Sequence, residues 1–220
     1  MGCFGIGSSW NLANNRGIPS RAIGITRSHA LNDYERGPIG TQWNRGVAII
    51  TNGVNSAHTI DAAGDRKKLG RFNWITVQGR DQQSATLISV YRPREEQVTA
   101  ANQLAKIRQT ITGDLVALQP QLLWEKDLEE LVGGKRGEVN QVIIAGDYND
   151  NLNDDDSRIN NLRREWGLRN LMREHIGDRP ATYHRGRDTI DGVFGTDGLE
   201  LDQCRYSSFV ESPGDHRWHF

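Results

Sequence analysis

Two cysteines in 220 residues, Cys3 and Cys204, are too few for a disulfide scaffold or a cysteine-built zinc site, and they point to a reducing compartment. No apolar run approaches the roughly 20 residues that cross a bilayer. The longest aliphatic stretches, Gly46 to Ile50 and Gln141 to Ala145, suit buried strands, and no membrane role is expected. The start, Met1-Gly2-Cys3-Phe4-Gly5-Ile6, places Ile6 where an N-myristoylation signal needs Ser or Thr. Charge of one sign is lacking too. With 27 Lys+Arg against 28 Asp+Glu the net charge is −1, which excludes coating nucleic acid by bulk electrostatics and leaves room only for a local basic rim. No repeat, low-complexity tract or linker interrupts the chain, so one domain over residues 1–220 is expected, a size that one core can close.

Residues 1–45 are rich in Gly, Asn, Ser and Arg without a helical or strand period and read as irregular. Gly46-Val-Ala-Ile-Ile50 reads as the first strand. Trp74 to Gln78 and Ala85 to Tyr91 read as two more, joined as a hairpin. From Val98 to Leu118 apolar residues recur at spacings of three and four, predicting a helix over a sheet. A second helix, Leu122 to Val132, is expected to stop at Gly133-Gly134. Strand character returns at Gln141 to Ala145, which makes a crossover unit and an α/β or α+β layered fold. Asp156 or Ser157 suits the cap of a short helix carrying Ile159, Leu162 and Trp166, with Gly167 past its end. The rest reads as short strands and loops.

The segment Ile143-Ile-Ala-Gly-Asp147-Tyr-Asn149-Asp150 puts a carboxylate and a carboxamide directly after an apolar strand, where α/β sheets bind ligands. Tyr91 ends its own strand the same way. If the two strands are neighbours, Tyr91 and Asp147 open onto one cleft. A calcium loop is the rival, since Asp147, Asn149, Asn151, Asn153 and Asp155 alternate. It fails because Leu152 replaces the required Gly and Arg158 the bidentate Glu. A second polar set lies in Thr182 to Phe194 and in Ser212-Pro-Gly-Asp215-His216-Arg217.

Taken in order, Gly46-Val-Ala-Ile, Ser89-Val-Tyr91-Arg-Pro93, Gly146-Asp147-Tyr-Asn149, Thr189-Ile-Asp191-Gly-Val-Phe194 and Ser212-Pro-Gly-Asp215-His216 resemble the motifs of the endonuclease/exonuclease/phosphatase superfamily. Gly64-Asp65, Leu69-Gly70-Arg71-Phe72 and Asp215-His216-Arg217 look most like the endonuclease domain of LINE-type retroelements. The resemblance implies a DNase I-like four-layer α/β/β/α sandwich and metal-assisted hydrolysis of a phosphodiester, with Mg²⁺ (or Mn²⁺) as cofactor and DNA as substrate. Carried onto this chain, it implies that Asp147 orients or deprotonates the water and Asn149 helps fix it. His216, held by Asp191, binds a phosphate oxygen, Tyr91 touches the phosphate or the leaving oxygen, and Asp215 belongs to the metal shell. Arg92, Arg185, Arg187 and Arg217 are placed along the cleft for backbone phosphates. It also implies an intracellular, nuclear setting and an ancestral reverse transcriptase domain.

The chain departs from that family at its start. The Asn that ends the family's first strand and the metal-binding Glu of the second have no evident counterpart before Gly46. Glu35 is the one Glu there, and Asp33 or Glu35 is the available substitute. The expectation is a fold lacking its first strands, with a sheet edge left unpaired. Two other readings stay open: a non-catalytic remnant that binds nucleic acid or protein, and an inositol-phosphate or lipid phosphatase. Thr189-Ile-Asp191-Gly lacks the Cys-Asp-Arg of the inositol phosphatases.

Overall fold

The structure is a computed structural model that describes residues 5–7, 30–36, 42–50, 58–65, 71–79, 83–94, 120–138, 141–177, 180–199, 201–212 and 214–217. The helix expected from Val98 to Leu118 lies outside them. In chain order the described elements are β1 (Gly5–Gly7), β2 (Ala30–Arg36), β3 (Gln42–Ile50), β4 (Thr59–Gly64), β5 (Phe72–Gln78), β6 (Ser84–Tyr91), α1 (Pro120–Glu138), β7 (Gln141–Asp147), α2 (Arg158–Glu165), β8 (Arg169–Asn170), α3 (Leu171–Ile176) and β9 (Asp191–Gly195).

The strands form two sheets, one ordered β1-β3-β2 and one ordered β4-β5-β6-β7-β9-β8. In the larger sheet β5 and β6 make the expected antiparallel hairpin, β6 and β7 run parallel across the crossover, and β9 returns antiparallel to β7. Because strand side chains alternate between faces, register sorts the core into two. The row Trp74, Ile88, Ile144 and Phe194 faces one way and packs with Trp124, Leu128 and Val132 of α1 and Ile159 and Leu162 of α2. The adjacent row, Ile75, Leu87 and Ile143, faces the other way, onto Ile49 of β3. Asn73 links the two sheets by donating from Nδ2 to the Val47 carbonyl at 2.8 Å. The described layers are therefore sheet, sheet and helices.

Three expectations change. Residues 1–45 contain two strands rather than loop alone, and they pair with β3 from either side, β2 along most of its length and β1 along Ala48 to Ile50. Asp33 and Glu35 both lie on β2, with Asp33 opposite Val47 and Glu35 at the register shift between Tyr34 and Arg36. Single-strand periodicity missed β2 because ALNDYER does not alternate polar and apolar residues. The α1 helix does not stop at Gly133-Gly134 but runs to Glu138. Lys135 is buried there, bonded to Asp61 at 2.9 Å and lying over the Trp74 ring, and Arg136 donates to the Trp166 carbonyl. These tertiary ties outweigh the roughly 1 kcal/mol helix cost of each glycine. The α2 helix forms as expected, capped by Ser157, whose Oγ accepts from the Asn160 amide at 3.3 Å, and followed by Gly167 at φ 60°.

Candidate active site

Register builds the site. Tyr91 lies opposite Asp147 across β6 and β7, and Asp147 lies opposite Asp191 across β7 and β9, so the three occupy one row across neighbouring strands at the edge where the sheet meets its loops. Gly146 allows this row to close. Its φ is +152°, and a Cβ there would stand 2.0 Å from the Val90 carbonyl oxygen, so only glycine fits against β6.

Beyond the row the chain turns back onto itself. Asn149 takes a positive φ of 47°, its amide donates to Asp147 Oδ1 at 2.9 Å, and its Nδ2 donates to the Arg92 carbonyl at 2.7 Å and to Asp147 Oδ2 at 3.3 Å. In the acidic loop that follows, two carboxylates bond to nearby backbone amides and Asp155 pairs with Arg173. Asp150 accepts from the Asn151 and Ile159 amides, and Asp154 from Asp156.

His216 arrives from the far end of the sequence. A bridge between Tyr183 and His216, with Arg217 N donating to Thr182 O at 2.8 Å and His184 N to Asp215 O at 2.8 Å, lays the last described residues beside 182–184. Thr182 Oγ1 accepts from the Ile190 and Asp191 amides, fixing the start of β9. His216 Nδ1 then meets Asp191 Oδ2 at 2.9 Å, and its ring stacks against Tyr183 at 5.0 Å.

Electrostatics set the protonation states. Burial of the Asp147 carboxyl, with the charge of Asp191 beside it, raises its pKa to about 7 against the pull of His216, the Asn149 amide and Arg94. Burial disfavours the His216 imidazolium, but the hydrogen bond and charge of Asp191 and the charges of Asp147 and Asp215 outweigh it and raise His216 to about 9. At neutral pH His216 is therefore a cation whose Nδ1–H donates to Asp191. Among the described residues, Asp147, Asp191 and His216 form a group that could hold a metal ion, with ligand atoms within 4.8 Å of one another. The donor set fits a hard cation: two buried carboxylates face each other, and burial with the charge of Asp191 raises the Asp147 carboxyl.

The other residues singled out in the sequence are placed as follows. Tyr91 is buried at the end of β6, its carbonyl accepting from Trp124 Nε1 at 3.0 Å. Asp215 is exposed next to His216 and is not in the group of three. Arg185 and Arg187 are exposed on the 184–188 loop. Arg217 donates to the Ala181 and Ser207 carbonyls and lies over the Phe209 ring, tying the terminal loops together. Arg92 points away from Asp147: it is buried against Glu125 of α1 at 3.4 Å. Arg94, not singled out, reaches the site and donates from Nε to Asn149 Oδ1 at 2.7 Å. The signal for it was the second arginine of Arg92-Pro93-Arg94. Arg71, from the LINE-like stretch, is structural, bridging Asp65 at 2.8 Å and Asp127 at 2.7 Å inside the protein.

No family model matches the sequence, and no curated protein is similar to it. Solved structures are similar in fold. A Neisseria 3′ phosphatase, NExo, bound to a product DNA hairpin superposes with a TM-score of 0.61 at 16% identity, over 94% of this chain and 83% of that one. The chain has the DNase I-like fold of the endonuclease/exonuclease/phosphatase proteins. Two further structures share the DNase I-like fold with it. The AP endonuclease of Leishmania major has a TM-score of 0.60 at 10% identity, over 87% and 69% of the two chains. The endonuclease domain of TRAS1, a telomere-specific non-LTR retrotransposon, has a TM-score of 0.52 at 16% identity, over 87% and 78%. No described helix is long and apolar enough to cross a membrane.

Proposed function

We propose that this DNase I-like protein is a metal-dependent phosphodiester hydrolase, a DNA endonuclease of the retroelement type that nicks one strand. The observation that carries the reading is the convergence of Asp147, Asp191 and His216 from three separate segments onto one point beside Asn149. Asp147, ionised above about pH 7, orients and deprotonates the attacking water. Asn149, locked against Asp147 and the Arg92 carbonyl, holds that water in place. His216, kept as imidazolium by Asp191, donates to a non-bridging phosphate oxygen as charge builds up. Tyr91, in register with Asp147, stands at the phosphate. Mg²⁺ or Mn²⁺ would be held by the carboxylates of Asp147 and Asp191, with Asp215 in its outer sphere, and when bound it supplies charge neutralisation at the phosphate. The retroelement assignment rests on the sequence motifs together with the likeness to the TRAS1 domain, and it brings with it a nuclear setting and a linked reverse transcriptase.

The test is relaxation of supercoiled plasmid by purified protein in Mg²⁺, Mn²⁺ or EDTA, with Asp147→Asn and His216→Asn in parallel. Metal-dependent nicking that falls by about 100-fold or more in either variant is expected. Absence of nicking with EDTA-insensitive DNA binding would instead establish a nucleic-acid-binding remnant, the reading favoured by the missing Glu. Release of phosphate from an inositol polyphosphate would establish the phosphatase.

A further inference from the structure

His216 meets Asp191 from 25 residues further along the chain, and the main-chain pairing that carries it there is slight. Among the described residues one isolated bridge, Tyr183 to His216, joins the two segments, with the His184 and Arg217 amides donating to the Asp215 and Thr182 carbonyls at 2.8 Å. A two-stranded ribbon is marginal by itself. Neighbouring residues of extended chain point to opposite faces, so the Tyr183 and His216 rings, 5.0 Å apart, share the face toward Asp191, and His184 and Arg217 share the other.

On that other face Arg217 fastens the loops with one side chain. Its Nε donates to the Ala181 carbonyl at 2.9 Å and its Nη1 to the Ser207 carbonyl at 3.0 Å. Its guanidinium also lies 4.3 Å over the Phe209 ring, which meets His184 edge-on at 5.3 Å. Ser207 is fully buried, and its hydroxyl bonds to that of Ser212 at 2.5 Å, so the grip is on a fixed point. Ala181 leads directly into Thr182, whose Oγ1 accepts from the Asp191 amide at 3.0 Å. One guanidinium therefore ties the segment that delivers His216 to the segment that fixes Asp191. Arginine suits the task, since its planar fork reaches two acceptors at once while its face stacks on a ring.

We propose that Arg217 is a positioning residue: by clamping residues 181, 207 and 209 behind the ribbon it holds His216 against Asp191, and it acts on the phosphate only through His216. The catalytic consequence rests on the function proposed above, whereas the clamp does not. The measurement is a double-mutant cycle of urea unfolding in EDTA at neutral pH, with the parent, Arg217→Met, His216→Asn and the pair. Methionine keeps an unbranched apolar stem and loses the donors and the charge. His216→Asn is expected to raise the unfolding constant about tenfold in the parent and about twofold or less beside Arg217→Met, because the contact it removes has already been loosened. Effects that simply multiply overturn the inference. If Arg217→Met does not fold, the cycle is run on Arg217→Lys, which keeps a cation over Phe209 without the fork; a smaller coupling of the same sign is expected, and its absence overturns the inference equally. In plasmid nicking with Mg²⁺, Arg217→Met is expected to lower kcat at least about tenfold at unchanged KM, with part of the loss recovered in Arg217→Lys. A raised KM at unchanged kcat would make Arg217 a substrate ligand and overturn the inference. A parent that does not nick overturns the proposed function and leaves the cycle to decide the clamp.

Discussion

Asp147 titrates near 7 instead of at the ordinary 3.8 because it is buried and faces Asp191. Folding therefore favours its neutral form, and the stability this provides is complete below about pH 4 and lost as the pH rises through 7. Asp147→Asn removes that titration while keeping an oxygen to accept the Asn149 amide. In EDTA the variant is expected to unfold like the parent at about pH 4 and to be more stable by about 1–3 kcal/mol at about pH 8, while in Mg²⁺ its nicking falls by about 100-fold or more. Equal stability across the pH range would show that burial does not perturb Asp147. His216 adds a second window. Its value is raised from 6.5 to about 9, so its pairing with Asp191 stabilises fully below 6.5 and is lost as the pH rises through 9. His216→Asn should flatten thermal stability between those limits, a loss of about 1–2 kcal/mol from the parent after allowing for water at the ring edge. Both groups make the parent less stable in alkali.

Among the helices and strands, glycines of opposite meaning stand out. Gly133 and Gly134 sit inside α1 with open space where a Cβ would be, so Gly133→Ala and Gly134→Ala should each raise stability by about 0.5–1 kcal/mol in chemical denaturation. A loss of stability would mean that α1 does not continue past Val132. Gly146 is the opposite case. A methyl group there collides with the β6 backbone, and Gly146→Ala should cost at least about 3 kcal/mol or abolish soluble expression, since β7 must separate from β6 at the very row that carries the site. A Gly146→Ala protein with parental stability would rule out the close approach of these strands. Composition cannot distinguish the two cases: one glycine interrupts a helix whose tertiary ties hold it, and the other is demanded by a neighbouring strand 56 residues earlier in the chain.

At the scale of the whole molecule, the described residues place a core on each face of the larger sheet. The helix-facing one gathers aromatic rings, with Trp124 between Phe72 and Tyr148, and Tyr148 against Phe194 at 4.7 Å. The sheet-to-sheet core includes Ile49, Ile75 and Leu87, with the Asn73 bond beside them. Ile75, fully buried between the two sheets, should cost about 2–4 kcal/mol in chemical denaturation when replaced by alanine. A loss below about 1 kcal/mol would show that the two sheets do not close over Ile75. Much of this architecture was legible beforehand. The hairpin, the crossover, the α2 cap and the row of Tyr91 and Asp147 follow from β-branched runs, capping chemistry and strand ends, which are local and leave a periodic mark. Asp147, Asn149, Asp191 and His216, singled out in the sequence, do come together at the strand ends. What local pattern could not supply was partnership. β2 was missed because it takes its strand form from pairing with β3, and α1 overran its glycines because Lys135 found Asp61. Arg92, expected along the cleft, lies buried instead because Glu125, far along the chain, draws it inward. The order of residues was enough to say which periodic elements form and which polar residues stand at the strand ends. Which side chains meet was settled on folding, since burial, register and ion pairing depend on neighbours that sequence distance does not reveal.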